Sequence, residues 1–326
     1  MKKLRLMVVY GGLSSERDVS ILSADNIIDN LDKNKYNISR IKILKNDLWE
    51  KEGSEVNYKL NPFACIKNEK PDVAFIVLHG KDGEDGKVQA IFDMMSVPYT
   101  GSGVLSSALA MDKRMTYLLL DKVVLVPSFF VINKKNPNIQ NKDIEQIGFP
   151  CIVKPNQSGS SVGISLVKEK KYLKKAIQKA LAEDENVLIQ KYIKGREFTC
   201  AVIGNSGSKD ELVAMPVVEI FPENIFFDTK AKYSGKSNEV CPANIPHILL
   251  DKIQKTSIKI HRLLGCDGLT RIDFIYVKNK LFFLEINTIP GATKESLAPK
   301  EAKVFGWEYQ TFLDKQIDLA LNKKLE

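Results

Sequence analysis

The chain has 326 residues, 44% hydrophobic and 27% charged, and a formal net charge of +8 at neutral pH. This is the balance of an ordinary globular protein with room for two or three domains, and no apolar run approaches the ~20 residues that cross a bilayer. The positive charge would admit an anionic partner such as nucleic acid, but the lysines fall in surface-like stretches and no basic–aromatic recognition motif accompanies them.

The N-terminus has a basic start, and the apolar run in LRLMVVYGG is shorter than a signal-peptide core of ~7–15 residues, with no small-residue cleavage site after it. It reads as a first buried strand of a cytoplasmic protein. Strand and helix then alternate: LRLMVVY, ERDVSILSADNIIDNL, PDVAFIVLHG and GKVQAIFDMM. That succession predicts a parallel sheet with crossover helices. The turn-rich SVPYTGSG closes this part, one helix is expected over VLSSALAMDKRMTYLLLDK, and a loop around Pro137 leads to Ile147–Pro150. The stretch CIVKPNQSGSSVGISLV…VLIQKYI predicts two strands separated by a glycine–serine loop and a helix. From GREFTCAVIG onward the pattern is β-rich. Cys65, Cys151, Cys200, Cys241 and Cys266 are scattered and contain no Cys-x-x-Cys, so they read as buried thiols rather than a disulfide framework or zinc site.

Four stretches carry candidate chemistry. In RIDFIYVKNKLFFLEINT, a hairpin centred on Asn279 within the polar turn Lys278–Lys280 sets Asp273 opposite Glu285 and Arg271 opposite Asn287, all on one face. Two carboxylates across a ladder repel. A hard cation such as Mg²⁺, held by Asp273, Glu285 and the amide of Asn287, would convert that repulsion into attraction. The alternative is a solvated edge face on which Arg271 offsets one carboxylate. The loop KPNQSGSSVG, Lys154–Gly163, follows a strand and suits either phosphate binding by backbone N–H groups and a lysine or plain connection. It is not a Walker A loop: the only GKS, Gly235–Ser237, has Lys230 where that pattern needs its first glycine. In GGLSSERDVS, Ser15 and Asp18 suggest a capping box with Glu16 in the first helical turn, where an acid complements the helix dipole; the functional alternative is that Glu16 faces a ligand crevice and grips an ammonium. LHGKDGEDG is a crevice loop or a glycine turn, and His79 within it is a supporting group or a structural hydrogen-bonder. His247 and His261 complete no zinc cluster.

Taken in order, GGLSSERDVS, HGKDGEDG, SGVLSSALAMDK, VKPNQSGSSVGIS, KGREF, AKYSGKSNEVCPA, RIDF, LEINTIPGAT and SLAP resemble the D-alanine–D-alanine ligases of the ATP-grasp superfamily, nearly end to end. The resemblance implies an α/β (α+β) fold of three domains. These are a Rossmann-like parallel-sheet domain over residues 1–102, a central ATP-grasp small domain over 103–195, and a C-terminal ATP-grasp domain over 196–326 with the metal site and a mobile loop at 228–243. It implies that Lys113 and Lys154 contact the nucleotide phosphates beside Ser160, and that Lys232 approaches the transferred phosphoryl. Gln190 and the backbone of Lys191, Tyr192 and Ile193 read adenine, and Glu197 binds the ribose. Asp273, Glu285 and Asn287 ligate Mg²⁺, with Mn²⁺ as a substitute and a monovalent cation such as K⁺ left open. Glu16 accepts the ammonium of the first substrate, with Ser160 and Tyr233 as its hydrogen-bonded partners and His79 in support. Arg271 and the Gly291 backbone hold the oxyanion, and Ser296 with Leu297 grips the second substrate's carboxylate.

The implied reaction joins two D-alanines through a D-alanyl phosphate at the expense of ATP, for peptidoglycan precursors. A cytoplasmic homodimer is expected, with no nucleic-acid or membrane partner. Tyr233 goes with an amino-acid second substrate; D-serine or D-lactate is the alternative. Three positions depart from the family pattern: Gln190 stands where a glutamate commonly contacts the adenine amino group, Lys230 where an acid is frequent, and IPGATKES replaces the more usual SPGMT version.

Overall fold

The computed structural model describes residues 2–53, 58–159, 162–207, 212–222 and 237–323. Three sheets follow one another along the chain. The first comprises β1 (Leu4–Gly11), β2 (Tyr36–Ile43), β3 (Trp49–Glu52), β4 (Lys59–Leu60) and β5 (Val73–Val77), in the order β4-β3-β2-β1-β5. Its centre is parallel, β1 pairing β2 and β5, with α1 (Arg17–Asn30) crossing from β1 to β2 and α2 (Pro62–Glu69) preceding β5. Beside the expected parallel strands, β3 and β4 add an antiparallel edge. Gly11 ends β1 at a φ of +93°, where a Cβ would stand 2.7 Å from the Ile43 carbonyl oxygen; only glycine permits this turn out of the sheet.

After α3 (Lys87–Met94), the single helix expected over residues 104–122 is two: α4 (Val104–Met111) and α5 (Lys113–Leu120). The break is Asp112, whose backbone is extended (φ −84°, ψ 97°) and whose carboxylate caps α5 by accepting from the Met115 N–H. An N-cap inside an apolar run overrides the helical periodicity on either side. The second sheet, β6 (Phe129–Asn133), β7 (Cys151–Pro155), β8 (Ser165–Val167) and β9 (Asn186–Lys191), is antiparallel in the order β6-β9-β7-β8. Two helices, α6 (Asn141–Ile147) and α7 (Leu173–Leu181), share its core.

The third sheet has β10 (Arg196–Ile203), β11 (Val213–Ala214), β12 (Val218–Pro222), β13 (Ser237–Val240), β14 (Leu269–Val277) and β15 (Lys280–Asn287), with main order β13-β12-β10-β14-β15 and β11 beside β10. One core joins this sheet to α5 and to α8 (His247–Leu263). Another joins Ala201, Ile203 and Leu269 to the first sheet through α9 (Leu297–Phe305) and α10 (Tyr309–Leu321). The first and third sheets are therefore packed through shared apolar side chains, which fixes the loops between them.

The β14–β15 hairpin turns on Lys278 and Asn279, both at positive φ (48° and 60°), as a two-residue primed turn requires. Near the turn the register therefore differs by one from a hairpin centred on Asn279: Val277 faces Lys280 and Phe274 faces Phe283. A bulge at Leu284 absorbs the extra residue, after which Asp273 faces Glu285 and Arg271 faces Asn287. All five cysteines are free, with Cys241 half-buried and the others buried.

Candidate active site

The ladder face of β14 and β15 meets its charge problem with two cations of its own. Arg271 donates from Nε and Nη2 to the two oxygens of Asp273 at 3.0 and 2.8 Å. Burial works against the guanidinium's charge, but Asp273 and then Glu285 hold Arg271 above its ordinary pKa. Thr199 of β10, cross-strand from Asp273, donates its hydroxyl to Asp273 Oδ1 at 2.5 Å. Asn287 Nδ2 lies 3.4 Å from Asp273 Oδ2, and Lys113 Nζ lies 4.0 Å from Glu285. Two carboxylates and an amide converging on one sheet face form an all-oxygen donor set that fits a hard divalent cation with room left for phosphate ligands.

The lysines come from α5 and β7. Lys113 opens α5 because Asp112 caps it, and its Nζ donates to the Ser158 carbonyl at 2.6 Å. Lys154 lies next to the end of β7 with its side chain buried; burial and the neighbouring Lys113 push it down to about 7, against the pull of Glu285. A narrow recess holds Lys113, Lys154, Ser158, Gly159 and Glu285 together. It adjoins a cleft of about 170 Å³ lined by Gln190, Tyr192, Ile193 and Glu197 on one side and by Arg271, Asp273, Glu285 and Leu297 on the other, with Lys154 common to both spaces. Lys191 points outward, and its backbone N–H donates to Ser128 while that of Tyr192 donates to Pro150.

Glu16 follows the first strand and sits between Gly80 and Gly159. It is the N-cap residue of α1 rather than a first-turn residue, its side chain makes no cap bond, and the expected Ser15–Asp18 capping box does not form. Ser14 takes the local role instead, accepting from the Glu16 N–H at 3.2 Å and donating to the His79 carbonyl at 2.7 Å. The Glu16 carboxylate lies so close to Gly80 and Gly159 that a Cβ on either would approach its Oε2 to 2.5 Å. His79 bridges Ile289 O at 2.9 Å and Ser23 Oγ at 3.3 Å, and burial lowers its pKa, so it is a neutral tie between loops. Gly291 and Ser296 are adjacent: a Cβ on Gly291 would stand 3.0 Å from Ser296 Oγ. Ser296 is the N-cap residue of α9 and bonds Thr293 through its hydroxyl at 2.8 Å. Ser160, Lys232 and Tyr233, with Lys230 and residues 228–236 of the expected loop, lie outside the described residues.

Four residues that sequence reasoning passed over are built into the same region. Glu84 accepts from the N–H groups of Gly80, Thr288 and Ile289 at 2.8, 3.1 and 2.9 Å, lashing the 80–84 turn to the segment after Asn287. Burial, then Glu16, push it up to about 7. Glu301 of α9 accepts from Ala201 N–H at 2.6 Å and is pushed up to about 8 by burial. Thr199 steadies Asp273, and Tyr117 stands between Lys154 and Gln190. The acidic pair Glu84–Asp85 within the glycine turn of HGKDGEDG was the one available signal for Glu84; the other three are ordinary residues within an element.

A cleft between an antiparallel four-stranded sheet and a β-rich unit, with lysines on one wall and paired carboxylates on the other, defines an ATP-grasp enzyme. Residues 122–318 match the family model for the D-ala D-ala ligase C-terminus, and 5–69 with 51–102 match that for the N-terminus. The chain is 38% identical to D-alanine–D-alanine ligase B of Clostridium tetani, covering 99% of this chain and 95% of that one, and 40% identical to the D-alanine–D-alanine ligase of Desulfotalea psychrophila, covering 99% and 96%. Among solved structures, it superposes on the VanG D-Ala:D-Ser ligase from Enterococcus faecalis with a TM-score of 0.86 at 33% identity, covering 98% of this chain and 100% of that one. For the D-alanine–D-alanine ligase from Bacillus anthracis complexed with ATP the values are 0.81, 31%, 98% and 98%. The chain belongs to the D-alanine–D-alanine ligase family, whose members are ADP-forming ligases.

Proposed function

We propose that this chain joins two D-alanines with consumption of ATP, through a D-alanyl phosphate, to make D-alanyl-D-alanine for peptidoglycan precursors. The observation that carries the reading is the meeting of Lys113, Lys154 and Glu285 in one recess, continuous with the cleft that holds Gln190, Glu197, Arg271 and Asp273. ATP lies with its base toward Gln190 and the 191–193 backbone. Because the Lys191 and Tyr192 N–H groups are already engaged, the base edge falls to the Lys191 carbonyl and the Ile193 N–H. Glu197 faces the ribose, Lys113 and Lys154 face the phosphates, and Ser160 and Lys232 complete the grip. Asp273, Glu285 and Asn287 hold Mg²⁺, or Mn²⁺ in its place, which supplies charge neutralisation to the phosphates when bound.

Glu16 orients the first D-alanine by its ammonium, backed by Ser160 and Tyr233, with neutral His79 fixing the adjacent loop. The substrate carboxylate attacks the γ-phosphorus and ADP leaves; the neutral amine of the second D-alanine then attacks the acyl phosphate carbonyl, inorganic phosphate departs with the C–O bond electrons, and the amine gives up a proton. Arg271 and the Gly291 N–H face the oxygen that gains charge in that step, and Ser296 and Leu297 at the start of α9 hold the second carboxylate. Such a reaction demands alignment and charge compensation more than a nucleophilic side chain. We further assign the division into units at 1–102, 103–195 and 196–326, a homodimer, a K⁺-type cation as accessory, and the cytoplasm as the place where ATP is the phosphoryl donor.

The test is ADP and phosphate release from Mg-ATP with D-alanine alone, then with D-serine or D-lactate added, and products identified by mass. Strong dependence on D-alanine with the dipeptide as product supports the reading. ATP turnover indifferent to D-alanine would overturn its substrate half.

A further inference from the structure

The hydroxyl of Tyr117 is fully buried in α5 at a point where three groups compete for it. Its oxygen lies 2.9 Å from the Leu284 carbonyl oxygen, 3.0 Å from Gln190 Oε1 and 3.3 Å from Lys154 Nζ. A phenol has one proton to give and lone pairs with which to accept. Leu284 is the bulged residue of β15 and has no opposite number in β14, so its buried carbonyl turns to Tyr117 for a donor. Lys154, as an ammonium, can only donate.

If the Tyr117 proton went to an oxygen of Gln190, the Leu284 carbonyl would face a second oxygen at 2.9 Å with no proton between them. If the proton goes to Leu284, the same hydroxyl oxygen accepts from Lys154 and from Gln190 once its amide is turned over to exchange Oε1 for Nε2, two ends alike in shape that only the hydrogen-bond network tells apart. Each polar group around the phenol then has a partner, and burial keeps the phenol protonated throughout. So turned, the amide directs its oxygen to the cleft that Gln190 lines.

We infer that Tyr117 is a positioning residue for nucleobase choice: it locks the Gln190 amide with its oxygen toward the cleft, so that the site accepts a hydrogen bond from a 6-amino purine and rejects a 6-oxo purine. A free glutamine could turn either end to the base and would discriminate poorly, whereas this one is wired as an acceptor. The inference rests on the proposed placement of the nucleotide base beside Gln190.

The experiment compares displacement of a fluorescent ATP analogue by ATP and by ITP, alongside D-alanine-dependent phosphate release with each nucleotide. The full-length protein is expected to favour ATP at least about tenfold in binding, the penalty for facing two acceptors together. Tyr117→Phe frees the amide and brings the ATP:ITP binding ratio to within about threefold; using the ratio cancels any loss common to both nucleotides. Should that variant fold poorly, Gln190→Leu removes the acceptor itself and is expected to abolish the preference. Equal binding of ATP and ITP by the parent, or a parental ratio retained in Tyr117→Phe or in Gln190→Leu, overturns the inference. Selective ATP binding without any D-alanine dependence leaves it standing and removes the ligase reading instead. Binding of neither nucleotide removes both.

Discussion

Gly159→Ala isolates the proposed role of Glu16 better than substitution of Glu16 itself, because it leaves every charge in place. A Cβ at Gly159 would lie 2.5 Å from Glu16 Oε2, whereas ordinary contacts begin near 3.4 Å, so the carboxylate must retreat by about 0.9 Å. The obstacle is the far end of a flexible side chain, and Gly159, unlike Gly80 at φ +74°, is not in the left-handed region. Folding stability is therefore expected to change by less than about 1 kcal/mol. A displacement of roughly 1 Å in a substrate-positioning group costs up to about 100-fold in rate, or about 2–3 kcal/mol of transition-state stabilisation. The expected result is a KM for the first D-alanine raised at least about tenfold, with ATP affinity within about threefold of the parent. Steady-state kinetics at saturating ATP, with nucleotide binding measured separately, reads both. A parental D-alanine KM with weakened ATP binding would refute the reasoning and make this glycine part of the nucleotide loop alone.

Asp273→Asn is expected to lower turnover, raise the magnesium requirement and cost about 3 kcal/mol of stability, since it strips a largely enclosed Arg271 of its partner. Glu285→Gln should match it kinetically but not in denaturation, because Glu285 is 33% exposed and its lysine stands 4.0 Å away; parental kinetics in both variants would contradict the metal assignment. Asp112→Ala should cost about 1 kcal/mol through the lost α5 cap and raise the KM for ATP by shifting Lys113, and an unchanged KM would count against that coupling. His261 is pushed down to about 4 by burial from an ordinary 6.5. Its stabilising share is thus full above pH 6.5 and lost as pH falls toward 4. The stability gap between parent and His261→Gln should shrink by about 2 kcal/mol between pH 7.5 and 5 in urea titrations, and a gap independent of pH would contradict this.

The hairpin at residues 271–288 shows how pattern and geometry share the work. Strand alternation put Arg271, Asp273, Glu285 and Asn287 on one face with the observed pairings, yet the turn was placed one residue too wide. The pairings survive because the bulge at Leu284 compensates, and nothing local in LFFLEIN announces a bulge. Periodicity also ran one helix through Asp112, since a capping aspartate in an apolar run is outvoted by its neighbours until its backbone is seen to be extended. Lys113 and Lys154 were legible through their ordered motifs. Tyr117, Thr199 and Glu301 were not, because each acts through a neighbour distant in sequence: Lys154 and Gln190, Asp273, and Ala201. Motifs expose groups that meet a ligand. They do not expose the partners that aim them.

The charge arrangement on the hairpin has a consequence for metal removal. A pair of carboxylates facing each other across a ladder would weaken the sheet if left alone, and a protein relying on a cation to offset them should lose stability with a chelator. Here Arg271 binds Asp273 through two nitrogens and Lys113 stands by Glu285, so the compensation is already internal. Internal compensation also lowers the field available to attract a free divalent ion, which makes the nucleotide's phosphates the larger part of the metal's ligand set. Treatment with EDTA in the absence of nucleotide is therefore expected to shift Tm by less than about 1 °C, under about 1 kcal/mol for a chain of this size. Addition of Mg²⁺ and ATP together should raise Tm, as ligand binding to the folded state must. A fall of more than about 5 °C on chelation alone would mean that Arg271 and Lys113 do not offset the carboxylates and that the metal is a structural element of the third sheet.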